Sequence, residues 1–370
     1  MAEAASESIA KGAVESRWQR RCFYLFILLS LIGVVLSAIP EGKARDPLAW
    51  DLLMVSGFLT LVAGIFVARD ARPKMEGSLS RLTDRGLLEV PGNEVKELEA
   101  KLEERASIFI RVGGPAAALA ILIAFLVLIS KNWGSPRGDG LLRLGIFETA
   151  WAYVVGRYLG RMAAYGMLGR FLKKEGVSVR VSPGHIDGAA GLKPIGDFSF
   201  FQAMVVAIPA LFLAVWWLII PIWPDPSFGP RYLEWRQPYL WLLALAITVE
   251  ILAFVVPMWS FHVLMRQEQG RLFKKADALS ESIAGIKARL AGSNTNQERN
   301  ELTEQLAFKT KQYWDIEQMP TWPLDTRTLR KFTFRNVTLS IPILSEMLGL
   351  TGLWSHMARI VSVYFGDLSQ

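Results

Sequence analysis

The sequence predicts an all-α polytopic membrane protein with six transmembrane helices in three hairpins. Hydrophobic residues make up 52% of the 370-residue chain, and its mean hydropathy is +0.28. The apolar residues also gather in six unbroken runs, and a soluble domain rarely combines such runs with this composition. Each run approaches the roughly 20 helical residues that cross a hydrocarbon core about 30 Å thick. The predicted spans cover residues 22–39, 48–68, 106–130, 144–165, 202–223 and 239–264.

The first span follows Arg17, Arg20 and Arg21 and therefore resembles a signal peptide. Its apolar core is long, however, and no small-residue cleavage site follows it. We therefore expect it to be retained as a membrane anchor.

The connections between the spans alternate between short and long, which predicts the orientation. The N-terminal segment 1–21 and the long loops 69–105 and 170–201 carry 17 lysines and arginines, whereas the three short connections carry 7. Positive residues accumulate on the cytoplasmic side of a membrane. We therefore predict a bacterial inner-membrane protein with both termini and nearly all extramembrane mass in the cytoplasm.

The rare residue types exclude several kinds of site. Cys22 is the one cysteine, and the chain has three histidines. A disulfide framework within one chain, a multi-cysteine metal centre and a histidine-rich metal centre are therefore not expected. No nucleotide-binding, kinase or hydrolase signature occurs, so we predict no catalytic residue, cofactor or metal. The net charge of +7 is typical of basic residues that flank membrane spans.

Residues 266–320 are predicted to form a cytoplasmic helical hairpin that resembles a coiled coil. Apolar residues on its first helix alternate by four and three, which is a heptad pattern: Leu272, Ala276, Leu279, Ile283, Ile286 and Leu290. Thr295 and Glu298 form a capping box that begins the second helix. The hairpin either packs on itself or contacts neighbouring subunits and sets the oligomeric state.

Two further segments of the cytoplasmic part are predicted to be helical. Asn93 caps a helix that continues into the third span. In the C-terminal cap, residues 321–370, we predict a basic cluster formed by Arg327, Arg330 and Lys331. Charged residues interrupt the apolar stretch 341–365, which favours a packed or interfacial helix over a seventh span.

Two ionisable residues lie near the middle of predicted spans, Arg157 in the fourth and Glu250 in the sixth. A charge at the centre of a membrane helix costs about 2.5–3.5 kcal/mol on insertion scales. Because the two residues fall at similar depth, we predict an Arg157–Glu250 pair, which either pins two helices together or lines a water-filled path. Arg161 lies one turn further in, and Glu148 lies near the outer end on the opposite face.

Small residues predict a close contact between helices. Gly156, Gly160 and Ala164 form a row at four-residue spacing on the fourth span, and such a row lets another helix approach the backbone. Gly113, Gly114 and Pro115 near the inner end of the third span are compatible with a hinge or with plain packing.

The loop between the fourth and fifth spans is rich in glycine and proline and carries several charged residues. These are Arg180, His185, Asp187, Lys193 and Asp197. Glycine-rich backbone exposes N–H groups that can bind an anion, helped here by the nearby cations. The loop is therefore a structural elbow, a ligand-binding or gating loop, or a catalytic loop. A cation held by its histidine and two aspartates is a further reading.

A resemblance is carried by this loop and by one later segment. Residues 185–197, HIDGAAGLKPIGD, resemble a His-x-Asp-Gly-x-x-Gly-Leu-x-Pro-x-Gly signature of a group of bacterial polytopic membrane proteins. The segment WPLD at 322–325, followed by RKF at 330–332, is similar to a second element of that group. Some multi-span proteins with cytoplasmic helical caps are phage-defence effectors, such as the Hailong channel. That likeness implies a channel that opens when a nucleotide or oligonucleotide signal changes.

Three functions remain open at this point. The first is a homo-oligomeric ion channel, gated from the cytoplasm by an anionic ligand, with its pore between subunits. The second is a secondary transporter that uses Arg157 and Glu250. The third is a non-conducting anchor or signalling scaffold that recruits a soluble cytoplasmic partner. The spans carry no dense ladder of polar residues and no internal symmetry, which favours the channel.

Overall fold

A computed structural model describes residues 21–36, 38, 51–90, 95–130, 138–221, 232–293 and 295–350. These residues form eleven helices and one two-stranded antiparallel sheet. The helices are α1 (Arg21–Leu36), α2 (Leu52–Arg69), α3 (Ala71–Asp84), α4 (Val95–Ser130), α5 (Gly138–Gly166), α6 (Leu168–Lys174), α7 (Lys193–Ile219), α8 (Tyr232–Gly292), α9 (Asn296–Glu317), α10 (Thr326–Leu339) and α11 (Ile341–Met347). The strands are β1 (Leu88–Glu89) and β2 (Ser178–Val179). The prediction of an all-helical chain is confirmed.

Within the described residues, four helical stretches are long and apolar enough to cross a membrane. They are Leu52–Asp84, Val95–Val127, Lys193–Ile219 and Tyr239–Gly292, and they overlap the second, third, fifth and sixth predicted spans. The first predicted span overlaps the shorter apolar helix α1. The fourth lies in α5, which does not meet the same requirement. Within its bounds of 144–165 this predicted span carries three acidic or basic residues: Glu148, Arg157 and Arg161.

The chain divides into two compact units, and the first comprises Met1–Phe66, Ile208–Leu245 and Leu339–Gln370. In this unit the indole N–H of Trp216 donates a hydrogen bond of 2.8 Å to the hydroxyl of Ser56. Trp216 and Ile220 pack with residues at the start of α2, including Leu52. Tight contact of α2 with α7 is possible because Gly57 leaves room for the ring of Phe212.

The second unit comprises Val67–Ala207 and Ala246–Thr338 and holds the largest apolar core. Its buried side chains come from α3, α4, α6, the loop before α7, the start of α7, and α8: Met75, Leu79, Leu82, Leu98, Leu102, Phe171, Leu172, Leu192, Ile195 and Met265. The two strands close one edge of this core, with Leu88 paired to Val179. The long loops predicted at 69–105 and 170–201 therefore fold together around a shared apolar core.

Helices α4 and α5 make an extensive contact along their length. A side chain at Gly156 would collide with the carbonyl of Gly113, and one at Gly160 would collide with the backbone of Phe109. The predicted row of small residues therefore permits direct backbone contact. Helix α4 also continues through Pro115, so the Gly113–Pro115 segment serves packing within an unbroken helix.

Helix α8 runs without interruption for 61 residues, which is about 90 Å at 1.5 Å per residue. It joins the sixth predicted span to the predicted cytoplasmic hairpin, and the predicted boundary between residues 265 and 266 lies inside it. The N-cap of α9 is Thr295, as predicted, although its hydroxyl contacts the Glu298 carboxylate at 3.4 Å rather than a backbone N–H group. We refer to α8 beyond residue 265, together with α9, as the rod.

The two helices of the rod lie side by side. The Lys309 ammonium donates to the Ser282 hydroxyl at 2.8 Å, and the Gln269 amide donates to the Met319 carbonyl at 3.3 Å. Ala276 and Ile286 of the predicted heptad pattern are buried, and so are Leu302 and Ile316 of α9. A shallow cleft of about 390 Å³ opens between the two helices beside Pro183.

The segment after the rod differs from the prediction at its end. The helix expected over 341–365 ends at Met347 in the described chain, where Gly349 adopts a left-handed conformation with φ of 66°. His356 and Arg359, which were expected to interrupt it, lie outside the described residues, as does the predicted cap Asn93. Helix α10 carries the predicted basic cluster.

Candidate functional site

Glu250 lies on α8 and is completely buried. Its Oε1 atom accepts hydrogen bonds from the guanidinium of Arg335 and, at 3.1 Å, from the Asn336 amide. Its Oε2 atom is also buried and has no hydrogen-bond partner among the described residues. The predicted pairing of Glu250 with Arg157 is therefore wrong. The similar predicted depth of Arg157 and Glu250 did not identify the partner of Glu250, because α10 places the guanidinium of Arg335 beside it.

Helix α10 reaches Glu250 because aromatic packing holds it beside α8. The rings of Phe332 and Phe254 stack with their centroids 3.9 Å apart. The Arg335 guanidinium also lies over the ring of Phe200, at 5.3 Å from its centroid. We call Glu250, Arg335 and Asn336 the buried charge cluster. It brings a guanidinium and an amide from α10 to a carboxylate on α8, within the stretch of α8 that is apolar enough to span a membrane.

Arg157 has a different environment from Glu250, because its side chain is exposed on the surface of α5. Its guanidinium lies 5.9 Å from the centroid of the Tyr153 ring, which is also exposed. The side chain passes beside Gly114, inside the Val95–Val127 stretch of α4. Arg111 is a second exposed cation on α4. The α4–α5 pair therefore presents positive charge outward at the depth of a candidate span.

The other two ionisable residues predicted on the fourth span are partly buried. Arg161 contacts the Glu103 carboxylate at 3.1 Å, and the Tyr165 hydroxyl donates to the same carboxylate at 2.7 Å. This group ties α5 to the first half of α4. Glu148 lies in the first half of α5 and is half-buried, whereas Arg157 is exposed.

The loop before α7 is built around the carboxylate of Asp187. Its Oδ1 atom accepts hydrogen bonds from the backbone N–H groups of Ala189 and Gly191, each at 3.0 Å, and its Oδ2 atom contacts the guanidinium of Arg85 at 2.8 Å. The His185 ring nitrogen Nδ1 lies 3.0 Å from Oδ1. Burial alone would raise the pKa of Asp187. The two N–H groups and His185 outweigh this effect and hold the pKa below its ordinary value.

The same loop is joined to the segment before α10, so the two sequence elements that carry the resemblance meet in space. The Lys193 ammonium contacts the Asp325 carboxylate at 2.7 Å, and Asp325 accepts the backbone N–H of Thr328 at 2.8 Å. Gly196 lies against the carbonyl of Pro323, where any side chain would collide. Partial burial opposes ionisation of Asp325, but Lys193 and Thr328 lower its pKa to about 2.

The remaining residues of the predicted loop site are dispersed. Arg180 pairs with Glu89 beside the two strands, and Asp197 is exposed near the start of α7. Of the residues described here, no three His, Cys, Asp or Glu side chains gather closely enough to hold a metal ion. The proposed cation site of His185, Asp187 and Asp197 is therefore not formed. The contacts of Asp187, Lys193 and Arg180 favour the structural-elbow interpretation of this loop.

The basic cluster of Arg327, Arg330 and Lys331 is exposed on α10. Sequence reasoning missed Arg335 and Asn336, which follow it by one turn on the buried side. The residues of α10 that turn inward are Thr328, Phe332, Arg335, Asn336 and Leu339. Their spacing by four and three residues was the signal that could have placed Arg335 against a neighbouring helix. Comparison of the chain with protein-family models, curated proteins and solved structures gives no match.

Proposed function

We propose that the chain is one subunit of a homo-oligomeric ion channel in a bacterial inner membrane. In this proposal all six predicted segments cross the membrane in three hairpins, both termini are cytoplasmic, and an anionic ligand opens the channel from the cytoplasm. The observation that carries the proposal is the exposed guanidinium of Arg157 beside an apolar candidate span.

An exposed arginine at this depth is costly if it faces lipid, by about 2.5–3.5 kcal/mol on insertion scales. A second copy of the chain, or water between copies, removes that cost. A pore at a subunit interface requires few polar residues from each chain, because each subunit contributes one wall. Arg157, Tyr153 and Arg111 supply such a polar surface on an otherwise apolar helix pair. The direct backbone contact between α4 and α5 would make this wall rigid.

The buried charge cluster supports the channel over a transporter with a path inside one chain. Such a transporter was predicted to use Arg157 and Glu250 together, but Glu250 is bonded to Arg335 and Asn336 within the described chain. A carboxylate sealed by a guanidinium and by aromatic rings suits a helix clamp better than a substrate path. Saturable, substrate-specific flux in the wild type that is lost in correctly folded Glu250→Gln protein would favour the transporter instead.

The rod supports gating from the cytoplasm by an anionic ligand. Helix α8 is continuous from the span into the rod, so a movement of the rod would reach the membrane. Six exposed cations lie on its rod portion: Arg266, Arg271, Lys274, Lys275, Lys287 and Arg289. Exposed basic side chains attract phosphates, including those of nucleotides and oligonucleotides. The resemblance to phage-defence effectors is consistent with such a ligand.

The test is single-channel recording from the purified full-length protein in planar bilayers. The protein is recorded alone, with nucleoside triphosphates, and with short single-stranded oligonucleotides. We expect conductance steps in the wild type and a reduced unitary conductance in Arg157→Gln. The matched control is Arg299→Gln, because Arg299 is exposed on α9, away from the proposed pore, and is not one of the six cations of α8 named above. Absence of conductance under every condition would refute the channel.

A scaffold is the second candidate, and one observation favours it. Two aromatic side chains on α9, Phe308 and Trp314, are 61% and 50% exposed. Exposed aromatic residues often mark a protein interface. The scaffold predicts that full-length protein with Phe308→Ser and Trp314→Ser loses a soluble partner that the wild type retains through purification. It also predicts no conductance.

A further inference from the structure

Helix α10 lies beside the apolar helices, although its position after the rod predicts a place in the cytoplasm. Trp322, just before α10, stacks on His262 with ring centroids 4.2 Å apart. Phe332 stacks on Phe254, and Arg335 reaches Glu250. These contacts move along α8 from residue 262 to residue 250, which is about 18 Å at 1.5 Å per residue. Helix α10 therefore runs back along α8, away from the rod and toward the middle of a candidate span.

The face of α10 that turns away from this contact is apolar in its second half. Phe334 is 76% exposed and Val337 is 58% exposed. Leu329 is also exposed on the first half. Large apolar side chains exposed at this depth are suited to acyl chains, because burial in lipid removes them from water.

The charges of α10 are distributed along its length in the same direction. Arg327, Arg330 and Lys331 are exposed on the half nearer the rod. After them, the one further cation on the helix is Arg335, which is bonded to Glu250 inside the fold. Basic residues followed by apolar ones match the order of a membrane leaflet, in which anionic headgroups lie outside the acyl chains.

We infer that α10 is embedded in the bilayer leaflet on the side of the rod. In this arrangement Phe334 and Val337 contact acyl chains, and Arg327, Arg330 and Lys331 bind anionic lipid headgroups. The occupant of this face is lipid rather than a second copy of the chain, because the order of charge and apolarity along α10 follows the depth profile of a leaflet. The inference is independent of whether the protein conducts ions.

The lone cysteine makes a direct test possible, because Cys22→Ser gives a background without thiols. Single cysteines are then placed at Phe334 and Val337, and a nitroxide spin label is attached to each. The protein is reconstituted in vesicles of phosphatidylethanolamine and phosphatidylglycerol. Collision rates with oxygen, which concentrates in acyl chains, and with a water-soluble nickel chelate report the surroundings of each label. The matched control is a cysteine at Phe308, which is also exposed but lies on the rod.

We expect the ratio of oxygen to nickel collision rates at positions 334 and 337 to exceed the ratio at 308 several-fold. Equal ratios would place α10 in water and overturn the inference. Low collision rates with both reagents would show protein over this face, and would overturn the lipid contact in favour of a second copy.

A second arm tests the headgroup contact. The label at Val337 is measured in Arg327→Gln/Arg330→Gln/Lys331→Gln protein and in vesicles made of phosphatidylcholine alone. We expect the depth of the label to decrease in both cases relative to vesicles that contain phosphatidylglycerol. An unchanged depth would refute the anionic headgroup contact. Arg271→Gln serves as the control, because it removes an exposed charge from the rod.

Discussion

Glu250 and Arg335 illustrate how one ionisable pair can hold a helix against a membrane span. The two residues are 85 positions apart in sequence, and the carboxylate is fully buried. An unpaired charge in such a place is far less favourable than either a pair or two apolar residues. The interaction therefore does more to specify where α10 docks than to raise the overall stability.

Replacement of Arg335 by methionine is expected to destabilise the protein by about 3–5 kcal/mol, because a buried carboxylate loses its partner. The double variant Glu250→Gln/Arg335→Met should recover most of this loss, since no charge remains to be buried. The measurement is the free energy of unfolding from detergent titration in mixed micelles. The control Arg271→Met breaks only an exposed contact of 3.9 Å with Glu268. A double variant as unstable as the single one would contradict the view that the loss comes from an unpaired Glu250 carboxylate.

Asp325 predicts how acid affects the join between the loop and α10. Its pKa is lowered from 3.8 to about 2, so its contribution to stability is complete above about pH 4 and is lost as the pH falls toward 2. In Asp325→Asn, the melting temperature should fall less steeply over this range than in the wild type. The control is Asp277→Asn, an exposed carboxylate on the rod. Parallel wild-type and Asp325→Asn curves would show that the Lys193 contact contributes nothing.

The candidate site could be predicted only in part from the sequence. Glu250, Arg157 and the 185–197 loop were identified because a charge within an apolar run and a cluster of glycines can be recognised in the sequence itself. Arg335 was not identified, because its segment is polar on average and reads as part of a soluble cap. The partner of Glu250 depends on where α10 docks, and the stacking of Phe332 on Phe254 determines that position.

The contact between α4 and α5 depends on the absence of side chains at three glycines. Lipid tails are as apolar as the helix surfaces, so the hydrophobic effect does not drive two helices together in a membrane. Close backbone approach favours their association through van der Waals packing. The spacing of Gly156, Gly160 and Ala164 predicted a close contact, and the structure identifies its partner as the Gly113 region of α4. The sequence could not choose between hinge and packing at Gly113–Pro115, because that choice depends on the opposing helix.

Gly160→Ala is expected to destabilise the protein by about 1–3 kcal/mol, because its methyl group would lie 2.8 Å from the Phe109 carbonyl carbon and force the helices apart. Gly270→Ala is the matched control, since a side chain there meets no atom within 4 Å. That control should stabilise α8 by about 0.5–1 kcal/mol, through the lower conformational freedom of alanine in the unfolded chain. The same detergent titration measures both. Equal effects at the two glycines would refute the close contact.

The boundaries of the helices were predicted less well than their existence. The sequence indicated a capping box at Thr295, and α9 begins there. The sixth predicted span and the first helix of the predicted hairpin were treated as separate elements, but both belong to α8. No breaker separates them, because residues 258–269 contain neither glycine nor proline. The end of α11 at Met347 was also missed, since the apolar composition continues beyond it.

For the whole molecule, the continuity of α8 predicts mechanical coupling between the rod and the membrane. Gly270→Pro should bend the helix near the base of the rod and cost about 3 kcal/mol relative to alanine there. For the channel proposed above, we expect the opening response to an added oligonucleotide to be lost in bilayer recordings, while the unitary conductance stays unchanged. Gly270→Ala is the control. An intact response in the proline variant would show that the signal does not travel through α8.

The wide separation of Glu250 and Arg335 along the chain has a consequence for biogenesis. At 5–20 residues per second, a ribosome needs roughly 4–17 s to proceed from one to the other. During that interval the candidate span in α8 carries a carboxylate whose partner has not yet been synthesised. A nascent chain interrupted in this window would leave an unneutralised acid in the bilayer, and membrane quality-control proteases could distinguish it from a finished chain. Formation of the Glu250–Arg335 pair would then also distinguish chains whose translation has passed α10.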